Sequence, residues 1–143
     1  MITYHEKERI FKLDTPNTSY LIGIVDGENF IGHIYYGRHL ADAEASYLLR
    51  TQEPPYVPGQ NNRERGAFYD CFPFEYPTGG TGDYRECCLN IRTAGGHTGS
   101  MLSYVSHEIM EGKPELPGLP ATFGAREECK TLKLTCEDKY VGM

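Results

Sequence analysis

Apolar and polar positions along this chain alternate in short runs with a period of two, and long helical stripes are absent. The cleanest run is Cys129–Glu137, where Leu132, Leu134 and Cys136 alternate with Lys133 and Thr135, the signature of a strand with one face on a core. Ser19–Val25 (SYLIGIV) is a denser strand, and Phe30–Tyr36 (FIGHIYY) is its return. Asp26-Gly27 is the hairpin signal between them, lengthened by Glu28 and Asn29. On the return strand, strict alternation places Phe30, Gly32, Ile34 and Tyr36 on one face and Ile31, His33 and Tyr35 on the other. Both sets are apolar or amphipathic, which predicts cover on both sides. Residues 3–13 end in a short strand-like run, closed by the turn residues DTPNT at 14–18.

Further strands are predicted at Tyr84–Arg92, closed by Ala94-Gly95-Gly96, and at Met101–Met110. In the latter, Leu102, Tyr104, Ser106 and Glu108 share one face, and Ser103, Val105, His107 and Ile109 the other. Residues 67–74 are aromatic and extended. Ala41–Arg50 has helical propensity but is too short for more than one or two turns. Thr51–Gly66, with three Pro and two Gly, is a long loop, and residues 111–124 form a second Pro/Gly loop. At least six strands with hairpin connections and almost no helix make the fold class all-β, an antiparallel β-sandwich. Val141-Gly142-Met143 reads as the start of another strand, and predicts either a longer parent chain or an edge paired with another chain.

Composition agrees with this class. The 143 residues suffice for one core, and Gly 16 with Pro 9 supplies many turns. A net charge of −6 without any basic block excludes a nucleic-acid footprint. No apolar run approaches a membrane span, and the N-terminus MITYHEKERI carries no secretory pattern. The five Cys (Cys71, Cys87, Cys88, Cys129, Cys136) are odd in number and form no CxxC pair, so a cytoplasmic protein with reduced thiols is expected. Asn17-Thr18-Ser19 then reads as a turn tripeptide rather than a glycan acceptor.

The stretch Phe74–Glu86 (FEYPTGGTGDYRE) concentrates the conformationally special residues. GGTG at 79–82 lacks the Gly-Lys-Ser/Thr and following helix of a phosphate loop, so it reads as a turn that needs positive φ. Asp83 and Arg85 share a strand face and suit an ion pair; nothing fixes a catalytic separation between Glu75 and Asp83. His107-Glu108 lacks the second His of a zinc helix motif, and position 111 is Glu. Ser100, Ser103 and Ser106 near His97 and His107 come without a GxSxG elbow. PELPGLP at 114–120 lies between strands, which favours a rigid loop over a peptide ligand. In Arg63-Glu64-Arg65 a solvated face competes with a role for the planar Arg65 fork on a sugar hydroxyl or carboxylate.

Five segments together resemble the N-terminal region of bacterial α-galactosidases of glycoside hydrolase family 36. They are FKLDTPNTSYLIGI (11–24), GHIYYGR (32–38), EYPTGGTGDYRECCLNI (75–91), SHEIMEGKPELPGLPAT (106–122) and TLKLTCED (131–138), in family order. The resemblance implies that residues 1–143 are part of a large N-terminal β-sandwich, ahead of a (β/α)8 barrel that carries two catalytic Asp. It implies a parent enzyme that removes terminal α-linked galactose from oligosaccharides with retention, without a cofactor or metal. No residue here inherits a catalytic role. It further implies a homo-oligomer in which a sandwich loop reaches a neighbour's galactose pocket. Arg65 falls at the family's Arg position, and Glu53 falls where an Asp is usual. Two other classes remain: a free-standing carbohydrate-binding sandwich using Tyr35, Tyr36, Tyr47 or Tyr56, and an assembly module without ligand.

Overall fold

The computed structural model describes residues 1–25, 27–41, 45–48, 72–80, 86–120 and 124–142. Six strands occur there: β1 (Ile2–His5), β2 (Ile10–Asp14), β3 (Thr18–Val25), β4 (Phe30–Arg38), β5 (Ser103–Glu111) and β6 (Lys130–Glu137). The first four form an antiparallel meander in the order β1-β2-β3-β4, and β5 pairs antiparallel with β6 in a second sheet. Helical structure among the described residues is confined to two 3₁₀ turns, Ser46–Leu48 and Arg126–Glu128. The expected all-β antiparallel class holds, and no helix there is long and apolar enough to cross a membrane.

The two faces of the meander bury different residues. One face carries Phe11, Ile22 and Ile24, joined by Tyr4, Leu13, Tyr20 and Ile31, and packs on Tyr104, Leu132 and Leu134 of the second sheet. That contact makes the sandwich core. On the opposite face, Ile10 and Leu21 pack with Ala45, Leu40 and Leu48, while Val25 and Phe30 pack with Phe72, Phe74 and Met101. The central strand β3 is therefore covered on both sides, which explains its unbroken apolar run.

Several expectations require correction. Within residues 3–13 there are two strands; polar Thr3 and His5 hide β1, whose Ile2 and Tyr4 pair with Leu13 and Phe11. The predicted strand 84–92 is not formed over its described part, 86–92, where only Leu89 makes a bridge, to Thr78. The strand expected from Val141 is not formed over its described part: residues 139–142 turn, with Gly142 N–H donating to Asp138 O at 3.0 Å.

Strict alternation also fails at two bulges. In β4, Leu21 pairs with Tyr35 but Ile22 pairs with His33, so Ile34 is the extra residue. Tyr36 consequently joins Ile31 and His33 on the sandwich-facing side, and Tyr35 turns to the other. In β5 the register shifts between Tyr104 and Ser106, which brings Tyr104 and His107 to the same inner face. Tyr104 OH and His107 Nδ1 lie 2.7 Å apart, and the imidazole packs against Tyr4 and Phe11 at centroid distances of 4.5 and 4.8 Å. Tyr104→Phe deletes this part-buried bond without changing the ring. A loss of about 1 kcal/mol is expected in urea unfolding; an unchanged midpoint would show that water replaces the hydroxyl.

Candidate functional site

The corner after the long loop is built onto β4. His33 N–H donates to Pro73 O (2.7 Å) and Glu75 N–H to Ile31 O (3.0 Å), so 73–75 runs along the strand as an extra edge. Phe72 is fully buried and meets Phe74 at 4.7 Å, which anchors this edge in the core. Next, Cys88 N–H donates to Pro77 O (2.8 Å) and Ser100 N–H to Gly79 O (2.9 Å). The buried Thr78 hydroxyl donates to Ser100 O. Gly80 has φ +89°, and a Cβ there would lie 2.4 Å from Gly99 Cα. The GGTG turn thus requires glycine at Gly80 for both conformation and close approach. Asp83 and Arg85 lie outside the described residues.

Asp138 locks the same corner from below. Its buried carboxylate accepts Met101 N–H (2.7 Å), Tyr140 N–H (2.8 Å) and Val141 N–H (3.2 Å). Burial pushes the carboxyl up, but the three backbone donors, with a weaker contribution from the nearby Ser100 hydroxyl, outweigh it and hold it below the usual range. The Ser100 hydroxyl is itself buried without a partner at bonding geometry.

A second polar cluster lies on the meander face opposite the second sheet. Lys12 Nζ sits 2.9 Å from Asp14 Oδ2 and donates to Leu40 O at 2.8 Å. Ser19 Oγ donates to Asp14 Oδ1 (2.5 Å) and accepts Leu40 N–H (2.9 Å). Burial raises the Asp14 carboxyl, whereas the Ser19 hydroxyl and the Lys12 ammonium lower it further, with a net downward shift. The cluster pins the Leu40 backbone to the sheet and is a structural device.

On the sandwich side, the outer end of β3 and β4 carries an aromatic group. Tyr20 lies against Tyr36 at 6.0 Å in a T-shaped pair and against His33 at 5.6 Å. His33 Nδ1 is 3.3 Å from Glu75 Oε2. Burial alone raises the Glu75 carboxyl above its ordinary value. Tyr36 is 69% exposed.

The PELPGLP segment is the inter-strand loop expected between β5 and β6. With Arg126 and Lys130 it lines a cleft of about 760 Å³ that is open to solvent. Arg126 Nε donates to Lys113 O at 3.1 Å, tying the loop to the second 3₁₀ turn.

Arg65 and Glu53, the substrate contacts implied by resemblance, lie outside the described residues, as does Tyr56. Of the other sugar-platform candidates, Tyr35 packs inward and donates its hydroxyl to Arg38 O at 3.0 Å, while Tyr36 and Tyr47 are exposed. His107 bonds a tyrosine and not a serine. Among the described residues no three His, Cys, Asp or Glu side chains gather as a metal site. Sequence reasoning missed Asp138 and the Lys12–Asp14–Ser19 cluster. An Asp directly after a clean strand and before a turn was the available signal for the first.

Residues 29–143 match the Glycosyl hydrolase family 36 N-terminal domain. The chain is similar to the bifunctional alpha-galactosidase/sucrose kinase AgaSK of Mediterraneibacter gnavus, at 35% identity over 96% of this chain and 15% of that protein. The solved galactosidase domain of AgaSK superposes with a TM-score of 0.84 and 33% identity, covering 99% of this chain and 20% of that one. A variant of alpha-galactosidase AgaA from Geobacillus stearothermophilus, solved in complex with raffinose, gives a TM-score of 0.78 and 28% identity over 93% of this chain and 18% of that one. The chain therefore spans a fifth or less of the length of these relatives.

Proposed function

This chain belongs to the glycosyl hydrolase family 36 N-terminal domains, and from that premise we propose that it is a non-catalytic sandwich segment of an α-galactosidase. The parent enzyme removes terminal α-linked galactose from oligosaccharides of the raffinose and melibiose type. It works with retention through two carboxylates, and that chemistry needs no cofactor. Residues 1–143 supply scaffold and subunit contacts, with the catalytic barrel outside them. The assembly is a cytoplasmic homo-oligomer. Arg65, and with it Glu53, reaches from one subunit into the galactose pocket of its neighbour.

The observation that carries this reading is the likeness over 99% of the chain to a solved galactosidase domain at 33% identity. Within the described residues, the buried carboxylates Asp14 and Asp138 are fully engaged in holding backbone and ammonium groups, which suits a scaffold. The test has two arms. The 143-residue chain should show no turnover of an aryl α-galactoside, whereas the full-length gene product should release galactose from raffinose. Turnover by the short chain would move catalysis into it; an inert full-length protein would end the galactosidase reading.

Arg65→Ala in the full-length enzyme should lower kcat/KM on raffinose roughly 10- to 100-fold, the equivalent of one charge-assisted hydrogen bond lost at the substrate. Its melting temperature should stay unchanged. Unaltered kinetics would remove Arg65 from the pocket.

A further inference from the structure

We propose that Tyr36, Tyr20, His33 and Glu75 form a second, non-catalytic subsite for a neutral pyranose on the sandwich-side face of β3 and β4, at the exposed Tyr36 ring. The ligand class rests on the α-galactoside reading above; the surface itself is argued from its own geometry. Three observations point to a sugar.

First, the aromatic pair is shaped as an open corner. Tyr20 and Tyr36 meet at 86° with centroids 6.0 Å apart, and Tyr36 stays 69% exposed. Tyr20 belongs to the rim of the sandwich core, whereas Tyr36 packs into no buried cluster among the described residues. An exposed, electron-rich ring face held at a fixed angle accepts polarised C–H bonds. Galactopyranose presents H3, H4 and H5 together on one face because its 4-hydroxyl is axial.

Second, hydrogen-bonding groups flank the rings at a sugar-sized spacing. His33 and Tyr36 flank the bulge at Ile34 and pair with Ile22 and Tyr20, two residues apart on β3, a span of roughly 7 Å at strand rise, enough for one pyranose ring. His33 Nδ1 and Glu75 Oε2 engage each other at 3.3 Å with side-chain exposures of 42% and 28%. Their outer atoms, His33 Nε2 and Glu75 Oε1, have no hydrogen-bond partner among the described residues and are free to hold adjacent hydroxyls. Backbone pairing of Glu75 with Ile31 fixes the carboxylate beside the imidazole, so the pair is preorganised.

Third, the electrostatics suit a neutral ligand. The chain carries a net charge of −6, and of the four subsite side chains Glu75 is the acid, engaged by His33. An anionic ligand would be repelled. A few polar groups around a stacking face, with a charge held by a neighbour, is the pattern of a small-molecule contact rather than the apolar centre of a protein interface.

The experiment is a raffinose titration of the ¹⁵N-labelled 143-residue chain followed by amide shifts. Saturable shifts are expected at Gly37 and Glu75, with a Kd on the order of 1–10 mM, the range for a shallow single-ring contact. Tyr36→Leu keeps apolar bulk but removes the ring face, and should weaken binding about fivefold or more. Glu75→Gln keeps shape and should weaken it about threefold. Unmoved amides at Ile22 and Leu134 report that each variant is folded, and if one variant fails to fold the other alone decides. The proposal is overturned by an absence of saturable shifts at Gly37 and Glu75, or by equal affinity in the folded variants. It is equally overturned if those amides respond to protein concentration and not to sugar, which would mark a protein interface. Because galactose release is measured separately on the full-length protein, failure of this subsite leaves the hydrolase reading standing, and the reverse.

Discussion

Gly80→Ala is expected to destabilise the chain by about 3 kcal/mol or more in chemical unfolding, far beyond an ordinary glycine substitution. Two costs add. At φ +89° an L side chain pays about 1 kcal/mol for the left-handed conformation. The new methyl would also sit 2.4 Å from Gly99 Cα, which is backbone and has no rotamer to yield. Relieving that overlap means separating the two glycine strands. The Ser100 N–H bond to Gly79 O and the Thr78 bond to Ser100 O would stretch with them, and strained repacking of this kind costs roughly 1–3 kcal/mol. Gly96→Ala is the internal control. Its φ is +85°, yet nothing lies within 4 Å of the new Cβ, so only the conformational cost of about 1 kcal/mol applies. If both variants lose the same stability, the close approach at Gly99 is not what Gly80 is for.

The contrast between Gly80 and Gly96 shows what sequence could and could not convey here. A Gly-rich turn leading away from an aromatic segment was legible as a positive-φ turn. Its partner, nineteen positions later in another Gly-containing stretch, was not, because a backbone-to-backbone contact leaves no side-chain pattern. The strands follow the same division. β6 and β3 were legible because burial on one or both faces writes itself directly into alternation or an apolar run. β1 was not, since an edge strand needs only Ile2 and Tyr4 turned inward. The bulges at Ile34 and Val105 were invisible to strict alternation, yet they decide the site. Without the first, Tyr36 would point away from Tyr20 and from His33. Glu53 was reached through resemblance alone, and Arg65 through resemblance added to the planar fork of its guanidinium, as no periodicity marks a residue whose proposed partner is a ligand in another subunit.

Asp138 gives the other large effect, and its pH dependence makes it the more discriminating test. Asp138→Ala should cost about 3–4 kcal/mol, since three part-buried backbone N–H groups lose a charged, buried acceptor at once. Asp138→Asn keeps one acceptor oxygen but turns an amide N–H₂ toward backbone donors, and should cost about 2–3 kcal/mol. The folded carboxyl is held below its ordinary value, so the charged form is the one favoured by folding. Its contribution is complete above the unfolded-state value of about 3.9 and is lost as pH falls through the lower folded-state value. The stability gap between the native chain and Asp138→Asn should therefore be flat from neutral pH to about pH 5, then narrow steadily below pH 4. A gap that stays constant in acid would mean that the carboxylate's charge contributes nothing and that shape alone holds Met101 to the final turn. Asp14 is shifted in the same direction, but it is present in both proteins and cancels in the difference. The pairing also isolates a long-range effect, because Met101 and Asp138 are separated by 37 residues. Loss of this one contact should loosen the strand leading into β5 and the turn after β6 together, so the unfolding slope should fall along with the midpoint if the corner comes apart before the sandwich does.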